Sequence, residues 1–214
     1  MQSIKTVVVD HHVVSRYGIT SLVSNSKDEV HVSAMFADIK SAEQYLSDHS
    51  VHVLLIDDQL PQADGIETII ARLREKYIGM SIIVIGNKIN SRYIMRLFDH
   101  GARGFVYKQD QLEDNLVLAI KTVRNGNVYL SPRVSTLFYN IRQIQQKDDL
   151  NGSDFLVLQS IEQGYNPQEI ARQLDITTRS VYRIYGRLRH VLNVRTNEQI
   201  VDAARKKGLL DELQ

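Results

Sequence analysis

Across the first 125 residues, short apolar runs alternate with longer amphipathic stretches. The runs IKTVVVD, VHVSAMF, VHVLLID, SIIVIG and GFVY are rich in Val and Ile and have the length of buried strands. Their near-continuous hydrophobicity suits parallel strands covered on both faces, not strands with one wet side. The stretches between them predict helices over Val13–Asn25, Ile39–His49, Ile66–Lys76, Ser91–His100 and Leu112–Asn125. Five such βα pairs imply an α/β unit: a five-stranded parallel sheet with helices on both sides. In such a sheet, ligand chemistry gathers at the carboxyl ends of the strands.

Asn125-Gly126 ends the last of these helices, Gly being the usual residue just past a helix end. A further helical stretch is expected after Pro132, and the polar segment RQIQQKDDL reads as a linker. Beyond it the strand signal is gone. The periodicity predicts four helices, Ser153–Gln163, Pro167–Leu174, Thr178–Leu192 and Asn197–Lys207. Gly164 and Gly208 can end the first and last of these. Asn166-Pro167 supplies a cap followed by Pro at the first helical position, and Thr196 to Gln199 has capping-box spacing. The expected organisation is therefore 1–128, an α/β domain; 129–149, helix and linker; and 150–214, an all-α domain.

Bulk properties narrow the classes. The chain is 43% hydrophobic and 24% charged, enough apolar material for real cores. No run approaches the roughly 18 apolar residues of a membrane span, and the apolar stretch of MQSIKTVVVD is too short for a signal peptide. The absence of Cys excludes disulfides, thiolate metal sites and Cys nucleophiles, and fits a cytoplasmic protein. The net charge of +1 gives no global pull toward nucleic acid. The distribution is more telling: Thr177 to His190 carries Arg179, Arg183, Arg187 and Arg189 with no acidic residue.

Asp10 follows the first predicted strand, Asp57 and Asp58 the third, and Lys108 the fifth. Carboxylates gathered at adjacent strand ends can hold a hard cation such as Mg²⁺. One of them could accept a phosphoryl group, and a nearby ammonium would neutralise the added charge. Taken singly, each residue is as well explained as a solvated charge at a loop end. The matched set is the stronger signal. The pieces VVVDHH, VLLIDDQLPQADG and GARGFVYK resemble the receiver domain of bacterial two-component response regulators, a flavodoxin-like α/β fold. The resemblance implies Asp57 as phospho-acceptor, Asp10 and Asp57 as Mg²⁺ ligands, Lys108 as the pocket lysine and Phe105 at the aromatic switch position.

Two departures stand out. His11 occupies the place of a second metal-binding acid, although Mg²⁺ prefers oxygen. Gly86 replaces a Ser or Thr whose hydroxyl would contact the phosphoryl group. Phosphoryl transfer is catalysed mainly by electrostatic positioning, so a pocket of Asp10, His11, Asp57, Gly86, Phe105 and Lys108 is expected to be degenerate. A protonated His11 could pair with Asp57 and imitate part of a metal's charge. Adjacent strand-end side chains point in opposite directions. His11 and His12 are therefore expected to diverge as surface histidines, with transition-metal sensing a minor alternative.

In QEIARQLDITTRSVYRIYGRLRHVLNV, Ile170, Ala171 and Leu174 form the apolar face of a short helix. Val181, Ile184, Leu188 and Val191 form that of the next. The second helix shows Arg179, Arg183 and Arg187 on its other face, with Tyr182 and Tyr185 among them. A basic helix after a scaffold helix and a tight turn is the helix-turn-helix arrangement. Arg can grip guanine edges or phosphate, and Tyr and Thr hydroxyls can contact the backbone. The candidate DNA-binding residues are Thr177, Thr178, Arg179, Tyr182, Arg183, Arg187 and Arg189. The plainer alternative is a solvated basic face.

This segment resembles the LuxR-type domain of the NarL/FixJ family in Glu162 to Asn166, in EIARQLDIT and in the T-x-x-x-V that follows. The opening Leu150-Asn-Gly-Ser-Asp154 is a weak match. Tyr182 stands where the family commonly has Lys. The resemblance implies a transcription regulator, not an enzyme, that binds double-stranded DNA as a homodimer, with Asn197–Lys207 as a dimerisation element. Such a regulator would have no catalytic residue and no membrane contact, with Mg²⁺ a doubtful cofactor; the departures at His11 and Gly86 favour a receiver that does not depend on Mg²⁺-assisted phosphorylation. The alternatives are a conventional switch at Asp57 driven by a sensor kinase, a receiver that pairs with another regulator, a protein-binding adaptor and, last, a Mg²⁺-dependent phosphatase.

Overall fold

The structure, a computed structural model, describes residues 3–24, 29–61, 64–147 and 150–210. It divides into two compact units, one of the residues up to Ile89 with Tyr93–Ser135, the other of Asn90–Arg92 with the residues from Thr136 onward.

In the first unit the strands are β1 (Ile4–Val9), β2 (Val30–Phe36), β3 (Val53–Asp57), β4 (Ser81–Gly86), β5 (Gly104–Tyr107) and β6 (Tyr129–Leu130). The helices between them are α1 (Val13–Ser24), α2 (Ile39–Asp48), α3 (Ile66–Lys76), α4 (Ser91–Asp99) and α5 (Leu112–Arg124). The strand order is β2-β1-β3-β4-β5-β6, and every pair is parallel. Alternate residues Val8, Val53, Leu55, Ile83, Ile85 and Val106 pack with Ile19 and Val23 of α1 and Leu116, Ala119 and Ile120 of α5. Their neighbours Val7, Val9, Leu54, Ile56, Ile82 and Val84 are buried as well. Burial on both faces is why these strands read as continuous apolar runs.

β6 makes this a sheet of six strands where five were expected. At two residues it is too short to show any period. It is held from outside: Ser131 N–H donates to Phe105 O at 3.0 Å, Ser131 Oγ accepts from Tyr107 N–H at 3.0 Å, and Tyr129 OH donates to Asn115 Oδ1 at 2.5 Å.

A helix α6 spans Pro132–Lys147, so residues 142–147, read from sequence as linker, are helical. Asp148 and Asp149 of that segment, and Asn25 at the expected end of the first helix, lie outside the described residues.

The second unit adds α7 (Gly152–Glu162), α8 (Pro167–Gln173), α9 (Thr178–Leu192) and α10 (Glu198–Lys206). Its core joins Val157, Leu158, Ile170, Val181, Ile184, Tyr185, Leu188, Val191, Ile200 and Ala204. Capping fixes the helix starts. Asn151 with Asp154, and Asn166 with Glu169, form reciprocal capping boxes. The expected box at Thr196 is half made. Gln199 Oε1 accepts from Thr196 N–H at 3.2 Å, but the N-cap of α10 is Asn197, whose side chain makes no capping bond. Asn193 adopts left-handed φ 57° and ends α9.

Candidate functional site

The sheet order reverses between β1 and β3, and a crevice opens at the carboxyl ends of the strands at such a point. Val9 pairs with Ile56, so the next residues, Asp10 and Asp57, meet across the switch. Both carboxylates are 1% exposed. Lys108, just past β5, reaches both: its Nζ is 3.0 Å from Asp57 Oδ1 and 3.3 Å from Asp10 Oδ2.

The other oxygens face the histidines. His11 Nδ1 is 3.5 Å from Asp57 Oδ2, and His12 Nδ1 is 3.6 Å from Asp10 Oδ1. The two imidazoles are in contact, centroids 3.6 Å apart, contrary to the divergence expected from strand geometry. The reason is local: β1 ends at Val9 and α1 starts at Val13, so residues 10–12 are outside the pleat. Sequence reasoning also missed Ser15 and Arg16. Ser15 Oγ donates to Asp10 Oδ2 at 2.5 Å, and Arg16 Nη1 donates to the carbonyls of Asp10 and His11 at 2.6 and 3.1 Å. The first turn of α1 carries both, and only its return over Asp10 reveals their part.

The electrostatics follow from burial and pairing. Burial works to raise the Asp10 pKa, but bonds from Ser15 and the His12 N–H, together with Lys108, hold it below the usual carboxylate value. Burial likewise opposes the charge on Lys108, and contact with Asp57 and Asp10 outweighs it, so its pKa is raised. Burial and the neighbouring Asp57 push Asp58 up to about 6. Its Oδ2 accepts a bond from Tyr93 OH at 3.3 Å.

The space beside Gly86 is crowded by its neighbours. A Cβ there would lie 2.5 Å from Asp58 Oδ2 and 2.6 Å from Phe105 Cζ, and the Phe105 ring is fully buried. The ring and the Asp58 carboxylate fill the space a hydroxyl-bearing side chain would need.

Mg²⁺ demands near-octahedral oxygen coordination, and two imidazoles stand against carboxylate oxygens of Asp10 and Asp57.

In the second unit, α8 and α9 are joined by a turn in which Asp175 adopts φ 52° and Ile176 N–H donates to Ala171 O. Thr177 caps α9, its Oγ1 accepting from Ser180 N–H at 3.1 Å. Val181, Ile184, Leu188 and Val191 are buried. Arg179, Tyr182 and Arg183, at i, i+3 and i+4, share an exposed face. Arg179 and Arg183 have no ion pair among the described residues.

Three neighbours are placed otherwise than the sequence suggested. Tyr185 is 5% exposed and belongs to the core. Arg187 Nη2 donates to the fully buried Asp154 at 2.6 Å. Arg189 Nη1 donates to Asn197 Oδ1 at 2.5 Å. Arg187 and Arg189 thus hold the domain together, and the open basic face contracts to the first two turns of the helix.

A parallel sheet with paired acids and a lysine at its switch point, in one chain with a helix-turn-helix unit, is the architecture of a two-domain response regulator. Residues 6–121 match the response regulator receiver domain. The chain belongs to the response regulator receiver domain family, and its two-domain layout resembles the NarL/FixJ type. It is similar to oxygen regulatory protein NreC of Staphylococcus carnosus, 26% identical over 97% of this chain and 99% of the relative. Its fold is similar to that of the RcsB response regulator of Salmonella typhimurium, with TM-score 0.66, 22% identity and coverage of 96% and 100% of the two chains. A structure of two RcsB dimers bound to two parallel DNAs is similar too, with TM-score 0.66, 23% identity and 95% and 98% coverage.

Proposed function

We propose that this protein is a transcription regulator that binds double-stranded DNA as a homodimer through α9, and whose receiver does not run on Mg²⁺-assisted phosphorylation of Asp57. The observation that carries the DNA reading is the exposed face of Arg179, Tyr182 and Arg183, without an ion pair among the described residues, at the start of the second helix of a helix-turn-helix. Thr177 and Thr178 stand at the same end and supply hydroxyls for phosphate. The RcsB dimers on DNA support the partner and the stoichiometry by likeness of fold. In α10, Ile200 and Ala204 are buried in their own domain, so a dimer contact through that helix would rest on its remaining residues.

Phosphorylation independence is supported by His11 beside Asp57 and by the occupied space at Gly86. A second reading, a conventional switch fed by a sensor kinase, is favoured by Lys108 lying 3.0 Å from Asp57, as a phosphoryl-neutralising ammonium would. Incubation with Mg²⁺ and a small acyl-phosphate donor, followed by intact-mass measurement, separates the two. We expect no shift. A single phosphoryl gain that Asp57→Asn abolishes would establish the second reading. Selection from a random DNA pool, with affinity then measured across a salt series, tests the DNA reading. Flat salt dependence would favour a protein-binding adaptor.

A further inference from the structure

We infer that the cluster of Asp10, His11, His12 and Asp57 is a binding site for a borderline divalent transition metal, Zn²⁺ above all. This goes beyond DNA binding and stands whether or not α9 reads DNA.

Two buried atoms, His11 Nδ1 and Asp57 Oδ2, have no hydrogen-bond partner among the described residues. They face each other at 3.5 Å, and Asp57 is 1% exposed. A buried acceptor without a partner is costly, and a cation between the two would satisfy both.

The second pair, His12 Nδ1 and Asp10 Oδ1, lies alongside at 3.6 Å, and each of the four residues offers a ligand atom within 4.8 Å of those of the others. Bonds of about 2.0–2.1 Å in a tetrahedral zinc site put ligand atoms roughly 3.3 Å apart. The two His–Asp edges are already close to that spacing, and small side-chain rotations close the remainder.

The carboxylates are also oriented for it. Lys108 takes Asp57 Oδ1 and Asp10 Oδ2, the oxygens opposite those that face the histidines. Gln59 N–H adds a bond at 3.3 Å to Asp57 Oδ1, and Ser15 adds one to Asp10 Oδ2. Such outer partners fix ligand orientation in metal sites. The lysine and the proposed ion therefore use different faces of the same two acids.

The donor set decides the metal class. Two imidazoles with two carboxylates suit zinc and its first-row neighbours, and not Mg²⁺. His12 is 58% exposed and His11 28%, which leaves a route for the ion from solvent.

The test uses the full-length protein with zinc sulfate in titration calorimetry, and cobalt chloride as a spectroscopic stand-in. We expect one ion per chain, a raised melting temperature with zinc, no such rise with millimolar magnesium, and the visible bands of four-coordinate cobalt. Replacing His11→Gln or His12→Gln should weaken zinc binding about tenfold or more, whereas His52→Gln and His100→Gln should leave it unchanged. Zinc affinity insensitive to His11 and His12, or a cobalt spectrum of the six-coordinate aqua type in the native protein, would overturn the site. Because the cobalt spectrum is read on the unaltered chain, a variant that fails to fold cannot rescue or sink the inference. DNA affinity plays no part in the readout, so loss of the zinc site and loss of the DNA reading remain separate results.

Discussion

Asp154, fully buried at the start of α7, receives the Arg187 guanidinium from α9 at 2.6 Å, and its second oxygen closes the capping box by accepting the Asn151 N–H at 2.9 Å. One carboxylate thus ties α7 to α9, the helix that carries the exposed Arg179, Tyr182 and Arg183.

The pair is asymmetric. The Arg187 side chain is 35% exposed and can turn to water, whereas Asp154 at 0% cannot. Removing the arginine strands a buried charge, at a cost of about 2–4 kcal/mol. Arg187→Ala should therefore lower the urea midpoint strongly, and adding Asp154→Asn should recover much of the loss, since the neutral amide needs no counter-charge. No recovery in the double variant would count against this account.

At Gly86 the expectation runs against simple family logic. Gly86→Ser restores the residue type common in receivers, but its Cβ meets Phe105 and Asp58 at 2.6 and 2.5 Å. Overpacking a filled core costs about 1–3 kcal/mol. We expect a lower melting temperature and no phosphoryl gain from an acyl-phosphate donor. A variant as stable as the parent would mean that the Phe105 ring moves aside easily.

On α9, Arg179→Ala and Arg183→Ala should each weaken DNA binding and reduce the salt slope by about 1 if the residue meets phosphate. A residue that reads a base instead should show its loss mainly on the preferred sequence. Arg187→Ala, corrected for its folded fraction, should leave the slope unchanged. A slope that falls only with Arg187 would place the DNA contact on the wrong face of the helix.

The pH response has a local reporter in the strand layer. His52 Nδ1 accepts the Lys5 N–H at 3.0 Å, which requires that nitrogen to be unprotonated. Burial first, then the charges of Arg124 and Lys5, lower its pKa from 6.5. The folded state thus binds fewer protons than the unfolded chain, so its contribution is present above 6.5 and is lost as pH falls toward the folded-state value. The stability gap between the native protein and His52→Gln should shrink from about pH 7.5 to about pH 5.5. An equal gap at both would remove His52 from the explanation.

Much of this molecule was legible in the sequence because burial leaves a period. The first five strands, the capped helix starts and the buried face of α9 each impose a pattern of apolar spacing or cap residues that a linear reading recovers. Asp10, Asp57 and Lys108 were legible for the same reason, as charges placed at strand ends. What the sequence could not hold is anything decided by chain segments far apart. β6 exists through bonds to β5 and α5, the His11 and His12 rings converge because the pleat has already ended, and the space at Gly86 is taken by a ring from another strand. Arg187 looks identical to Arg183 along the helix. Only the approach of Asp154, thirty-three positions earlier, turns one arginine inward and leaves the other to the solvent.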